Sequence, residues 1–525
     1  MAETPLQYHR PLIPMGLAYL GSMIEEEYTG GGWEDYVQTR LEKEGVGRYK
    51  SSGVVAAQDN MFLSFYNRFD QEQLLLRMEE FSKDCPPDRF YIGLSVLSDG
   101  MRTARKLLKA FRLHFPLAKI MVGGPHATFF PYDFFEFPDH RENPLADYVV
   151  TNEGEHAILA IINEQLATEE GFKRNYEKFG LNPGQSDYSI PNYRVIDGGQ
   201  FKGDLEKANL HVLDELPPPA YFLFEDENGI LPYEPDKRYG LEAPAANINS
   251  SRGCPHKCTF CTIPKLAPGY RSLSPTRMAD LVQFLNINYR VQSIFFREDN
   301  FMYSGGTIKG DRWEDIQTFC EELLDRRLKI KWAIEARADN ILQQTRSGKQ
   351  RIDLLQESGL TGVYIGVESG EDLMLKLYAK GTSVDEMSEG IKVCHNRNVT
   401  VVATSIYSDP DLLLKRNYPN IDLNSHEYRS HIIKQRERIL ESTRQFMDAN
   451  NIPLPLREEY AMVGIPISTI YNMLLKEKEN HSFLVEYYDD QTRYLYPKGF
   501  QWWSTKIYQA KNRVRSYFGY NFNPF

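Results

Sequence analysis

Between residues 246 and 410 short apolar runs alternate with longer stretches whose apolar residues recur every three or four positions. Ile248-Asn-Ser250 and the runs 293–297, 330–335, 362–367 and 399–406 read as strands bounded by turn residues. The segments 276–286, 350–357 and 384–396 read as helices. So does the stretch that sets Trp313, Ile316, Phe319, Cys320, Leu323 and Leu324 on one face. Few folds accept this order. Repeated strand-helix units build a parallel sheet or barrel, which gathers its chemistry at the carboxyl ends of the strands.

Directly after the first of these strands comes Ser251-Arg-Gly-Cys254-Pro-His-Lys-Cys258-Thr-Phe-Cys261, which holds three of the chain's six cysteines. Gly253 and Pro255 suit a sharp turn and would not persist inside a helix. The spacing C-x3-C-x2-C brings three thiolates onto one loop, where they can hold three corners of an iron–sulfur cube. Such cubes ordinarily take four cysteines, so three leave one iron open. A zinc knuckle would want a fourth ligand nearby. His256 lies inside the loop and points the wrong way for simple chelation, and on spacing alone zinc or three unrelated thiols stays open. Cys320 and Cys394 fall on apolar helix faces and read as core thiols.

At 525 residues the chain is long enough for three or four domains, each with its own core. No run of eighteen apolar residues offers a membrane span, and the N-terminus lacks the basic and apolar regions of a signal peptide. Six cysteines, three of them clustered, make no disulfide framework, so a reducing, cytoplasmic setting is expected. The net charge of −11 argues against a dominant polyanion-binding face, and nucleic acid is not an expected partner.

Residues 89–166 alternate in the same way. An apolar run at 90–97 reads as a buried parallel strand, Ala104, Leu107, Leu108 and Phe111 recur at helical spacing, and further strands are expected at 118–122 and 147–150. Glu153-Gly-Glu155 opens another helix. The pattern is that of a doubly wound, Rossmann-type sheet, whose ligands sit at the carboxyl ends of the strands. Ser95, Ser98, Gly123, Gly124, Thr128 and Glu153 all fall there.

The cysteine run resembles the signature of the radical S-adenosylmethionine (SAM) superfamily. The resemblance implies a partial six-stranded (β/α) barrel whose Cys254, Cys258 and Cys261 bind a 4Fe–4S cluster. SAM would chelate the open iron and be cleaved reductively to a 5′-deoxyadenosyl radical, with an external electron donor such as a flavodoxin or ferredoxin. Phe260 matches the aromatic beside the adenine. Glu298 and Asp299 stand where relatives bind the SAM amino group, Arg337 where a guanidinium forks to its carboxylate, and Glu368-Ser369-Gly370 where ribose or carboxylate is contacted.

The N-terminal segment resembles the cobalamin-binding domain of one branch of that superfamily, through Pro14-Met-Gly-Leu-Ala-Tyr-Leu20, Gly123-Gly-Pro-His-Ala-Thr128 and Asn152-Glu-Gly-Glu155. The first strand of that fold is not recognisable ahead of Pro14. None of the eleven histidines lies in the D-x-H-x-x-G sequence that supplies a cobalt ligand elsewhere. Cobalamin here is therefore expected without a protein histidine on cobalt, His126 capping a turn instead.

These readings divide the chain into a cobalamin-binding-like α/β domain at 1–170, a linker at 171–245, a barrel core at 246–410, and a mainly helical insertion and capping region at 411–525. The resemblance implies methylation of an unactivated carbon of a small molecule. Cyclisation, rearrangement or oxidation on the same scaffold is the alternative. RNA methylthiotransfer would bring a second three-cysteine cluster and an RNA-binding barrel, and neither is visible.

Overall fold

The computed structural model describes residues 71–83, 90–96, 101–129, 145–155, 212–224, 235–267, 269–303, 313–342, 351–407 and 426–461, with shorter pieces between them. The chain forms two compact units, built mainly from Pro11–Pro232 and Tyr233–Tyr488.

In the first unit α1 (Gln71–Ser82) precedes β1 (Tyr91–Ser95), α2 (Met101–His114), β2 (Lys119–Gly123), α3 (Pro125–Phe129) and β3 (Tyr148–Val150). The helical spacing of Leu107, Leu108 and Phe111 buries that face of α2 with Ile120, Val122 and Val149. β1, β2 and β3 are parallel, with Ser95 opposite Gly123 at the carboxyl edge. One correction follows. The stretch expected as linker contributes β4 (Tyr193–Asp197) and β5 (Gln200–Lys202), which extend the sheet antiparallel, β4 on β3 and β5 on β4. Asp197 pairs with Gln200 where the two strands meet. The strand order is the chain order, so the reversal that defines a doubly wound sheet does not occur among the described residues.

The second unit is a six-stranded, all-parallel sheet in chain order: β6 (Ala245–Ile248), β7 (Ser293–Phe296), β8 (Lys331–Ala336), β9 (Leu360–Glu368), β10 (Thr400–Tyr407) and β11 (Arg457–Ala461). The helices between them are α4 (Pro275–Tyr289), α5 (Trp313–Asp325), α6 (Arg351–Glu357), α7 (Asp372–Leu377), α8 (Val384–His395) and α9 (His426–Ala449). Local chemistry sets their ends. Ser274 caps α4 ahead of Pro275 at the first helical position, and Ser383 and Glu386 close a capping box on α8. Outside the sheet Phe296, Phe301, Phe319 and Trp332 form an aromatic cluster with centroids 5.1–6.0 Å apart. Each such ring buried contributes about 1.5–3 kcal/mol. On the inner face Tyr239 lies 5.0 Å from Phe295, and its side chain occupies the space a Cβ on Gly362 would need.

The sixth strand lies within the region expected to be a mainly helical cap. α9 carries the chain out and back before β11 completes the sheet, and strands Leu484–Asp489 and Thr492–Pro497 pair beyond it. No helix among the described residues is long and apolar enough to cross a membrane.

Candidate functional site

β6 and the short ribbon Ser251–Arg252 with Arg271–Ser272 deliver the cysteine loop to the carboxyl edge of the six-stranded parallel sheet. Gly253 has φ +82°, and a Cβ there would overlap the carbonyl oxygen of Gly269, so glycine alone fits. The loop is pinned from the far side of the sheet. The Thr259 amide donates to the Tyr378 carbonyl (2.8 Å), its hydroxyl to the Leu377 carbonyl (3.0 Å), and the Phe260 ring meets the Tyr378 ring edge-on at 5.5 Å. All three cysteines are free and half-buried. Burial pushes the Cys254 thiol up to about 11 and the Cys261 thiol up to about 12, although the Ile263 amide donates to the Cys261 sulfur (3.4 Å). No three ligand side chains among the described residues converge on a single-ion site. Each cysteine of a cluster binds a different iron, and three free thiols on one loop can serve in that way. His256 is held neutral, its pKa lowered to about 4 by burial and the nearby Arg337, and its Nε2 is a buried atom with no partner.

Around this loop the strand ends bring several expected residues together. Asp299, after β7, accepts from the Gly253 amide, and its charge is felt at Cys254. It is exposed, yet loss of solvent and the neighbouring Glu298 push its carboxyl up to about 6. Arg337, after β8, is 6% exposed. It forks to Asp339 (3.0 and 3.2 Å), donates to the Lys380 carbonyl (2.5 Å), and leaves Nη1 without a partner. Glu368 ends β9 at φ +64°, a left-handed conformation that costs a non-glycine residue about 1–3 kcal/mol. One of its oxygens accepts from Lys380 Nζ at 2.9 Å, both side chains being 7% exposed, and the other, Oε2, is buried without a partner.

Other expected residues do different work. Glu298 is buried and turned back to β6, where it accepts from the Ser250 amide (2.9 Å) and the Ser250 and Ser251 hydroxyls. It braces the root of the cysteine loop. Gly370 is a packing glycine: its amide donates to the Thr443 hydroxyl (3.0 Å), and a Cβ would meet Ser442 and Phe446 of α9 at 2.8–2.9 Å. Ser369 is fully buried and accepts from the Glu371 amide (3.2 Å). Lys380 escaped the sequence reading because a lone lysine between Ala379 and Gly381 belongs to no spacing pattern. Cys320 and Cys394 are fully buried, as core thiols should be.

In the first unit Ser95, Gly123 and Gly124 form a flat strand edge. Gly124 has φ +90°, and a Cβ on it would meet Ser95 Oγ at 2.8 Å. Thr128 donates to the Gly124 carbonyl (3.0 Å) and accepts from the Asn152 amide (2.8 Å), tying that edge to the half-buried Glu153 that follows. Ser98 lies outside the described residues. His126 is buried, its ring edge-on to Phe134 at 5.9 Å.

A model of the radical SAM superfamily matches residues 248–411, from the end of β6 past β10. Residues 248–411 are thus a radical SAM domain. The chain is similar, at 22% identity over 399 residues, to an uncharacterized methyltransferase of Pyrococcus horikoshii, covering 76% of this chain and 70% of that protein. It is 24% identical over 332 residues to an anaerobic magnesium-protoporphyrin IX monomethyl ester cyclase of Cereibacter sphaeroides, covering 63% of this chain and 48% of the other. Among solved structures it shares the fold of OxsB, a cobalamin-dependent S-adenosylmethionine radical enzyme with aqua-cobalamin and S-adenosylmethionine bound, with TM-score 0.56 and 20% identity over 82% of this chain and 58% of that one. The chain thus spans about half the length of the cyclase and under two thirds of OxsB. A radical SAM domain takes a 4Fe–4S cluster and SAM. The residues present fit both: three free thiols on a glycine-shaped loop, an orphaned buried acceptor on Glu368 and an orphaned buried donor on Arg337.

Proposed function

We propose that this chain is a cobalamin-dependent radical SAM enzyme that methylates an unactivated carbon of a small molecule. The observation that carries the reading is the cysteine loop standing beside two buried polar atoms of opposite kind, Glu368 Oε2 and Arg337 Nη1, that lack partners. A zwitterionic ligand satisfies both at once, and an acceptor and donor left dry would each cost about 1–3 kcal/mol.

When bound, the cluster and SAM supply one-electron cleavage chemistry and a corrinoid supplies a methyl carrier. The chain's own part is to hold and to orient. Cys254, Cys258 and Cys261 would each take one iron, losing their protons as they do so. Arg337 would donate through its open Nη1 to the carboxylate of SAM, and Glu368 would accept from a hydroxyl or ammonium group. Asp299 holds Gly253 in place and keeps negative charge near the loop. Phe260, steadied by Tyr378, offers an aromatic surface to the adenine. In the other unit the flat edge of Ser95, Gly123 and Gly124, with Thr128 and Glu153, suits a large planar ring, and the buried His126 suits a corrinoid without protein histidine on cobalt.

The anaerobically reconstituted chain, given dithionite and methyl-labelled SAM, should form 5′-deoxyadenosine. Broad absorption from the cluster should accompany corrinoid bands. Absence of SAM cleavage in protein that carries the cluster would overturn the enzyme reading. The similarity to a cyclase favours one second reading, a cyclisation or oxidation without methyl transfer. An unlabelled, dehydrogenated or isomeric product would select it.

A further inference from the structure

The inner face of the barrel carries a polar group that the cofactor loop leaves unused. Strand alternation sends Phe296 outward onto Phe319 and Trp332, so Phe295 and Arg297 face inward. Glu335 of β8 stands in register with Tyr364 of β9 above the level that Tyr239 fills. One half of this group is closed. The Arg238 guanidinium reaches Asp236 and Glu458, each at 2.7 Å, and the Tyr364 hydroxyl donates to the second oxygen of Glu458 (2.9 Å). The other half is open. Arg297 meets Glu335 through one nitrogen at 3.3 Å and lies 5.2 Å from the Phe295 ring, and 44% of its side chain stays accessible against 24% for Glu335. Loss of solvent pushes the Glu335 carboxyl up to about 7, opposed by Arg297 and reinforced by Asp299, Glu458 and Glu298. Glu335 is thus crowded by protein yet still reached by solvent, and so is its partner Arg297.

We propose that Arg297 and Glu335 form an oxyanion-binding subsite in the barrel interior, which anchors a carboxylate or phosphate-type group of the substrate. The inference rests on the reading of the chain as an enzyme acting on a small molecule. A guanidinium presents five donors in a planar fork that matches such groups, and a single charge contact to Glu335 leaves most of that fork for a ligand. An ionised Glu335 repels the incoming anion. A protonated Glu335 releases Arg297 and donates its own O–H to the same group. Anion binding therefore takes up a proton. It is tightest below the Glu335 pKa and weakens as pH rises through about 7. The charged and titratable groups facing Glu335 are Arg297, Asp299 and Glu298 from the loop after β7, Tyr364 of β9, Glu458 of β11, and Tyr239 beside Arg238 and Asp236 ahead of β6. Asp299 is the other carboxyl that titrates nearby.

The test is labelling of arginines in the full-length, cluster-reconstituted chain by phenylglyoxal, with the adduct on Arg297 followed by peptide mass spectrometry. Propionate and sulfate stay anionic throughout. They should slow labelling of Arg297 several-fold at about pH 6.5 and far less at about pH 8.5, either side of the Glu335 pKa. The better protector of the two separates a carboxylate from a tetrahedral oxyanion. In Glu335→Gln protection should persist at both pH values. If neither anion slows Arg297 labelling in the unaltered protein while other exposed arginines react normally, or if butylammonium protects instead, the subsite does not exist as described. The readout does not depend on SAM cleavage, so loss of either result leaves the other standing.

Discussion

Lys380 ties two parts of the cofactor site together, its ammonium on Glu368 and its carbonyl under Arg337. Removing the ammonium leaves a carboxylate buried and alone, which costs about 3–5 kcal/mol. Lys380→Met should therefore weaken SAM binding at least about tenfold and lower the melting temperature, whereas Lys380→Arg should recover much of the affinity. Equilibrium dialysis with labelled SAM reads this without turnover, and unchanged affinity in a folded Met variant would remove the positioning role. The cysteines make a second prediction. Their folded pKa values lie above the ordinary thiol value, so at neutral pH the cluster-free protein holds Cys254 and Cys261 protonated. Alkylation of these two by iodoacetamide should be slow near pH 7.5 and rise steeply with pH, against a free cysteine that reacts readily near its pKa of about 8.5. Mass-mapped rates check it. At this scale the sequence was legible where residues are neighbours in the chain: the cysteine trio and Gly253 declare themselves by spacing. The Glu298 brace and the Lys380 pair were not, since each joins residues through a turn of three-dimensional structure that no local pattern encodes.

Among the elements, α9 does two jobs, covering Gly370 with Ser442, Thr443 and Phe446 and returning the chain for β11. Gly370→Val would place new atoms where α9 already sits. Overpacking of this kind costs about 1–3 kcal/mol, so the melting transition should drop by a few degrees, with cluster content preserved per folded molecule. A chain stopped at residue 411 keeps the whole family match yet loses β11, leaving the edge of β10 unpaired. It should accumulate as insoluble protein, and a soluble monomer on gel filtration would contradict the six-strand account. Four strands of the larger sheet were readable because each is an apolar run close behind a helix with matching period, whereas the first lies at Ala245–Ile248, ahead of the expected Ile248–Ser250. β11 was not readable, because Arg457-Glu-Glu-Tyr-Ala461 is mostly charged and far from its partner in sequence. The pairing of β4 with β5 was not legible, because the polar stretch around them reads as a linker.

For the molecule as a whole, two units with separate cores mean that the two proposed cofactors have separate housings. Cys258→Ala should abolish cluster absorption and SAM cleavage while a corrinoid still stays bound through desalting. Electron paramagnetic resonance of the cobalt(II) form should show no splitting from a coordinated imidazole nitrogen. Loss of both cofactors together in a folded variant would mean that one unit depends on the other. Fold class was legible at this scale from alternation alone. The order of strands within a sheet is not encoded in that way, because it is set by which edges meet, and strands of similar apolar character do not record it.

The late arrival of β11 also has a consequence during synthesis. The cysteine loop leaves the ribosome some two hundred residues before the last strand that closes its sheet, and domains form as units only once their parts are available. Stable metal insertion would then follow the emergence of β11, and a cell short of chaperones should yield protein that is translated but poor in iron.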